Sequence, residues 1–222
     1  MPTPLDGPRQ KPASGGKPTS LVVLLHGVGA DGADLIGLAP HLAPLLPETA
    51  FVAPDGPQPC DMAPYGRQWF SLQDRTPAVL SAGVAASAPI LDAFLDAELA
   101  RLGLTADRLA LVGFSQGTMM SLQVGPRRLA PLAGIVGFSG ALTGPERLAA
   151  EIRTRPPVLL IHGTADPVVP FERLAAAEKV LKAAHVPVET LACPGLGHSI
   201  DEPGLNRCGA FLQRVLGAGA GT

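Results

Sequence analysis

Three side chains in this 222-residue sequence are of the types that together make a hydroxyl nucleophilic: Ser115, Asp166 and His198. A serine hydroxyl attacks a carbonyl only when a general base takes its proton. An imidazole serves as that base when a carboxylate orients it and stabilises its charged form. Ser115 lies in Gly113-Phe114-Ser115-Gln116-Gly117, a G-x-S-x-G pattern between a predicted strand at 109–114 and a predicted helix at 116–124. The pattern alone is a weak signal; its place between strand and helix is what a nucleophile elbow requires. The two glycines leave room for a sharp turn, and the helix N-terminus favours developing negative charge. A second Gly-Phe-Ser-Gly at 137–140 lacks the later glycine, so Ser139 reads as a strand-end residue.

The base should follow the nucleophile in the chain, with the acid between them. Of His162, His185 and His198, only His198 combines a glycine-rich loop with a strand before it. His185 reads as a helix-end surface residue. His162 ends a strand, but no strand-end carboxylate separates it from Ser115. Asp166 follows the strand at 158–161, on the side where Ser115 emerges. Asp201, three residues after His198 and before Glu202-Pro203, reads as a helix cap. The tetrahedral intermediate also needs two N–H donors. One is the backbone of Gln116, next to the nucleophile. The other is assigned to Val28, in the loop His26-Gly27-Val28-Gly29 after the first long strand.

These groups must be held by a particular arrangement of elements. Predicted strands at 21–25, 51–53, 109–114, 133–138, 158–161 and 188–192 alternate with predicted helices at 33–46, 81–102, 116–124, 145–152, 171–184 and 204–216. Such alternation predicts an α/β fold, a mostly parallel sheet covered on both faces. In such sheets functional groups collect beyond the carboxyl ends of the strands, where Ser115, Asp166 and His198 all fall. The stretch 57–78 is irregular and holds the only tryptophan. A loop of that length in a compact domain is usually functional. The expected organisation is an N-terminal tail or short edge hairpin at 1–19, one domain at 20–217 and a flexible tail at 218–222.

Composition narrows the field. The formal net charge is −2, with no run of like charges, which argues against a nucleic-acid partner. Three cysteines, Cys60, Cys193 and Cys208, fit no zinc spacing and suit a reducing compartment. The first twenty residues lack the apolar stretch of a signal peptide, and no apolar run approaches transmembrane length. The chain is therefore expected to be cytoplasmic, without membrane insertion. One competing reading comes from Gly27, Gly29 and Gly32, which match G-x-G-x-x-G after a strand, with Asp55 placed as a ribose-binding acid would be. Dinucleotide binding would put Asp31 beside a pyrophosphate and leave Ser115, Asp166 and His198 without a purpose. An acyltransferase using the same acyl-enzyme and a non-catalytic binding protein are two further alternatives.

The segments LLHGVGADGADL, GRQWFSL, GFSQGTMM, HGTADPVVP and GLGHSID together resemble the phospholipase/carboxylesterase family, over about residues 20–216. The resemblance implies an α/β-hydrolase fold with little or no cap domain. It implies Ser115 as nucleophile, Asp166 as acid, His198 as base and the N–H groups of Val28 and Gln116 as the oxyanion hole. No metal or organic cofactor is implied; the substrate would be a small-molecule ester or thioester, and a homodimer is allowed. The chain departs from the family where Ser71 follows Trp69-Phe70 in place of the usual Asp. Trp69, Phe114, Met119, Val168 and Leu196 are the candidate walls of an apolar pocket. With few loops long enough for a lid, that pocket is expected to be small and open.

Overall fold

The computed structural model describes residues 5–217. The expected C-terminal tail at 218–222 lies outside the described residues. Among the described residues nine strands form, in chain order β1 (Arg9–Gln10), β2 (Ser20–Leu25), β3 (Thr49–Val52), β4 (Gln58–Pro59), β5 (Arg67–Gln68), β6 (Leu109–Phe114), β7 (Gly134–Phe138), β8 (Val158–Gly163) and β9 (Val188–Cys193). The α-helices are α1 (Gly32–Leu35), α2 (Ala39–Leu42), α3 (Pro77–Leu102), α4 (Gln116–Val124), α5 (Pro145–Glu151), α6 (Glu172–Ala183) and α7 (Glu202–Gly217). Seven strands make one sheet in the order β1-β3-β2-β6-β7-β8-β9, and β4 and β5 form a separate hairpin. All pairings in the large sheet are parallel except β1 with β3.

Continuous apolar strands need cover on both faces, because alternate side chains point opposite ways. Strand β2 divides accordingly: Val22 and Leu24 pack with Leu42, Cys208 and Phe211 on one face, and Leu21, Val23 and Leu25 pack with Leu91, Leu95 and Met120 on the other. Strand β8 does the same, sending Leu159 and Ile161 to the α7 side and Val158 and Leu160 toward Leu174 and Leu181 of α6. Each such fully buried aliphatic side chain stabilises the fold by about 1.5–3 kcal/mol relative to exposure.

The structure alters three expectations outside the site. In the described part of the N-terminal segment, Arg9–Gln10 adds an antiparallel edge strand to β3, and Arg9 pairs with the buried Glu98 of α3 at 2.7 Å. The helix expected at 33–46 is three short turns, α1, a 3₁₀ segment Ile36–Leu38 and α2. Pro40 in the first turn of α2 has no N–H to continue the ladder from α1. Helix α3 is long and apolar enough, by length and composition, to cross a membrane, contrary to the reading that no run approaches that length. One face of it packs into the core, where Val84, Leu91, Phe94, Leu95 and Leu99 are buried, and Asp92 and Asp96 on another face pair with Arg128.

Candidate active site

The strand β6 ends at Phe114 and α4 begins at Gln116, so Ser115 alone makes the turn. Its φ of 52° lies in the left-handed region that L residues other than glycine rarely occupy. The flanking glycines explain how the turn closes. A Cβ on Gly113 would lie 2.4 Å from the Gly117 carbonyl carbon, and one on Gly117 would lie 1.9 Å from the Leu25 oxygen. Any side chain at either position would push α4 off the strands beneath it. The Ser115 N–H donates to Phe138 O at 2.8 Å, and Thr118 Oγ donates toward Gly113 O and Phe138 O, both at 2.9 Å. Gly137 and Gly140 of the second Gly-Phe-Ser-Gly make room for the Thr118 side chain. Ser139 itself is buried at the end of β7 with φ 46°.

His198 rides on the loop between β9 and α7. Its Nδ1 donates to Asp166 Oδ2 at 2.8 Å, and its ring stands 4.8 Å, centroid to centroid, from that of Phe114. The two loops that carry this pair are stapled together. Ala165 N–H donates to Leu196 O at 3.0 Å, and Gly195 N–H donates to Thr164 Oγ at 2.9 Å. A Cβ on Gly163 would come within 2.2 Å of Leu196 O, so the loops approach as closely as they do only over a glycine.

Asp166 is 8% exposed, and its Oδ1 accepts the N–H groups of Val168 and Val169, each at 2.9 Å. Burial works to raise its pKa, but the hydrogen bonds from His198, Val169 and Val168 outweigh it and hold the carboxyl below its ordinary value. The carboxylate is therefore charged at neutral pH and oriented on both oxygens. His162, discounted as the base, is buried at the end of β8 with Nε2 2.9 Å from Val169 O and 3.4 Å from Asp166 Oδ2. It holds the turn that presents the acid. Its place at a strand end, four residues before Asp166, was the signal for this role. Asp201 accepts Gly204 N–H at 2.8 Å and caps α7, as its spacing suggests, while His185 is exposed at the end of α6.

Val28 and Gln116 border the same cavity as Ser115 and His198. Among the described residues neither the Val28 N–H nor the Gln116 N–H has a hydrogen-bond acceptor, whereas the neighbouring Gly29 and Ala30 N–H groups do. Two unclaimed donors beside a serine are what a tetrahedral oxyanion requires. The first glycine loop is also arranged against a dinucleotide: the Gly32 N–H at the start of α1 donates to Asp55 Oδ1 at 2.8 Å. The carboxylate expected on a ribose thus occupies the helix start where a pyrophosphate would have to bind.

The cavity measures about 630 Å³. Phe114, Met119 and Val168 line it, together with Leu72, Leu80, Leu142 and Val180. Trp69 and Leu196 do not. Trp69 is fully buried in the core beside Leu25 and Phe70, and Leu196 packs partly buried against the α7 side of the sheet. The pocket is not small, because the start of α3, the loop before α5 and one face of α6 wall it without a separate lid. Ser71 is exposed, and its Oγ accepts the Gln73 N–H at 3.2 Å, a local turn contact.

The parallel sheet, the strained serine turn and the acid–imidazole pair beyond the strand ends define an α/β-hydrolase. The chain belongs to the phospholipase/carboxylesterase family, whose profile matches residues 12–216. It is similar to the Escherichia coli esterase YpfH, 32% identical over 82% of this chain and 76% of that one. Acyl-protein thioesterase 1 of Schizosaccharomyces pombe is 31% identical over 90% of this chain and 92% of its own. Among solved structures, esterase PE8 superposes with a TM-score of 0.92 at 42% identity, covering 96% of this chain and all (100%) of that one. Arabidopsis thaliana SOBER1 superposes with a TM-score of 0.80 at 26% identity, over 89% of this chain and 99% of its own. The protein is a hydrolase of carboxylic esters by family.

Proposed function

We propose that this hydrolase is a serine carboxylesterase that cleaves small-molecule esters or thioesters through an acyl-enzyme on Ser115. Ser115 Oγ attacks the carbonyl carbon while His198 Nε2 takes the hydroxyl proton. The carbonyl oxygen becomes an oxyanion held by the Val28 and Gln116 N–H groups. Collapse of the intermediate breaks the bond to the leaving alcohol or thiol, which receives the proton from His198. Water then attacks the acyl-enzyme, giving its proton to the same imidazole, and Ser115 is released with the carboxylic acid. Asp166 keeps His198 in the tautomer with Nδ1 protonated throughout.

The observation that carries this reading is the convergence on one cavity of a serine at φ 52° and a histidine whose other ring nitrogen is bonded to a buried carboxylate. The thiols offer no rival nucleophile there: none of the three lines the cavity, Cys193 and Cys208 are buried, and burial, with Asp201, pushes Cys193 up to about 11. All three cysteines are free, which fits a reducing cytoplasm. Labelling the intact protein with a fluorophosphonate, followed by peptide mapping, tests the assignment. One adduct on Ser115, absent in Ser115→Ala, is expected. No adduct, or one on Ser139, would overturn it.

A further inference from the structure

We propose that Trp69 is a positioning residue that sets the spacing of the two oxyanion donors, gripping the Gln116 side chain on one side and the His26 carbonyl on the other. The proposal rests on the esterase reading above.

The two donors belong to different elements. Val28 follows β2 and Gln116 follows β6. The β2–β6 ladder ends at the pair Leu25 and Gly113, so each donor lies three residues past the last rung. Beyond the ladder nothing in the sheet fixes their separation, yet the geometry of an oxyanion hole tolerates little error.

Trp69 bridges this gap. Its backbone N–H donates to Gln116 Oε1 at 2.8 Å, and the Gln116 amide nitrogen donates to Phe70 O at 2.7 Å. The side chain of Gln116 thereby pairs with the main chain of 69–70 while its own backbone N–H stays free for the oxyanion. On the other side the indole Nε1–H donates to His26 O at 3.0 Å, two residues before Val28. His26 is itself fixed: its Nε2 accepts the Gly56 N–H at 2.8 Å, so Nδ1 carries the proton and donates to Gly27 O at 2.7 Å. The Trp69 carbonyl accepts Ser87 Oγ at 2.5 Å, tying the bridge to α3. Every polar group of Trp69 is thus engaged, and its ring is fully buried away from the cavity wall.

The test releases one side of the clamp at a time. Trp69 is the only tryptophan in the chain, so biosynthetic replacement with its benzothiophene analogue deletes the indole N–H and preserves the shape. Trp69→Phe and Gln116→Met are the encoded counterparts. The readouts are kcat and KM on p-nitrophenyl butyrate, normalised to fluorophosphonate-titrated sites, and the Ki of a trifluoromethyl ketone whose hemiketal oxyanion occupies the hole. Each change should lower kcat roughly 10–100-fold with KM within about 3-fold, and raise Ki in proportion to the loss in kcat/KM. The double variant Trp69→Phe with Gln116→Met should be little worse than the poorer single, because both act on one spacing. Unchanged kcat per titrated site, KM and Ki rising together without loss of kcat, or multiplicative losses in the double variant would each overturn the role. Wild-type protein that takes no fluorophosphonate would overturn the esterase reading and this inference with it; labelled, active wild type matched by the analogue protein would overturn only the inference.

Discussion

Asp166 Oδ2 lies 2.8 Å from His198 Nδ1, while the other oxygen of the same carboxylate is held by two backbone N–H groups. Replacing that carboxylate by an amide keeps the shape and removes the charge that fixes the imidazole tautomer. Asp166→Asn should therefore lower kcat by about 10⁴-fold with little change in KM. The same substitution should also change acid stability. The folded pKa is below the ordinary 3.8, so the stability contributed by the carboxylate is present above pH 3.8 and lost as pH falls through the folded value. Denaturant titrations from pH 5 downward should show a shallower acid decline in Asp166→Asn than in wild type.

His26 gives a second pH dependence, at higher pH. Burial, set against the hydrogen bond to Gly27 and the nearby Asp55, Asp31 and Asp34, lowers its pKa below 6.5. Below pH 6.5 the unfolded chain takes up a proton that the folded chain refuses, so stability from this group is complete above pH 6.5 and declines as pH falls toward the folded value. His26→Gln should cost about 1–3 kcal/mol at pH 8, through unpaired Gly56 and Gly27 groups. Its stability should then vary less than that of wild type between about pH 6.5 and 5. Urea unfolding at three pH values checks both halves; equal pH slopes in the two proteins would contradict the assignment.

The sharp turn at Ser115 and the pairing of His198 with Asp166 were legible because each depends on a residue type at the end of a predicted strand. What escaped depends on groups far apart in sequence. The Gln116 amide meets 69–70, and His26 meets Trp69 and Gly56, across separations that no local pattern encodes. Trp69 illustrates the difficulty: an aromatic in a long loop suggests a pocket wall, yet the fold turns it inward. His162 was set aside because no strand-end carboxylate separates it from Ser115 in the chain, and this second imidazole sits behind the acid instead. The cavity was underestimated for a related reason. Its walls come from the first turn of α3, the loop before α5 and a face of α6, whose convergence is a property of packing rather than of any one segment.

The stapling of the two site loops makes its own prediction. Gly163 has φ outside the left-handed region, so alanine is strained there only by contact, with Leu196 O at 2.2 Å and Gly197 O at 2.5 Å from its Cβ. To make room, the loop carrying His198 must move away from Asp166. Gly163→Ala should lower kcat by roughly 10–100-fold, as an error of about 1 Å in a catalytic group does. It should also lower stability by about 1–3 kcal/mol. Gly197→Ala, in the same loop, meets nothing within 4 Å and should alter stability by no more than about 0.5 kcal/mol. Thermal unfolding and steady-state kinetics on the pair separate the contact from the loop's general tolerance.

The cavity decides chain-length preference. A small open pocket would favour acetate and lose activity as the acyl chain grows. A volume of about 630 Å³ walled by Leu72, Leu80, Met119, Leu142 and Val180 predicts the reverse. Each methylene buried against such a wall contributes up to about 0.8 kcal/mol, equivalent to roughly a 4-fold rise in kcat/KM. The p-nitrophenyl series from acetate to octanoate should therefore rise in kcat/KM before it levels, with the gain split between KM and kcat according to how much of the contact strengthens in the transition state. Met119→Trp should fill the cavity near Ser115, cutting octanoate turnover at least about 10-fold while leaving acetate within about 3-fold. A steady fall from acetate onward in wild type would mean that the cavity does not receive the acyl chain, and equal losses on both esters in Met119→Trp would mean that the substitution disturbs the nucleophile turn instead of the space beside it.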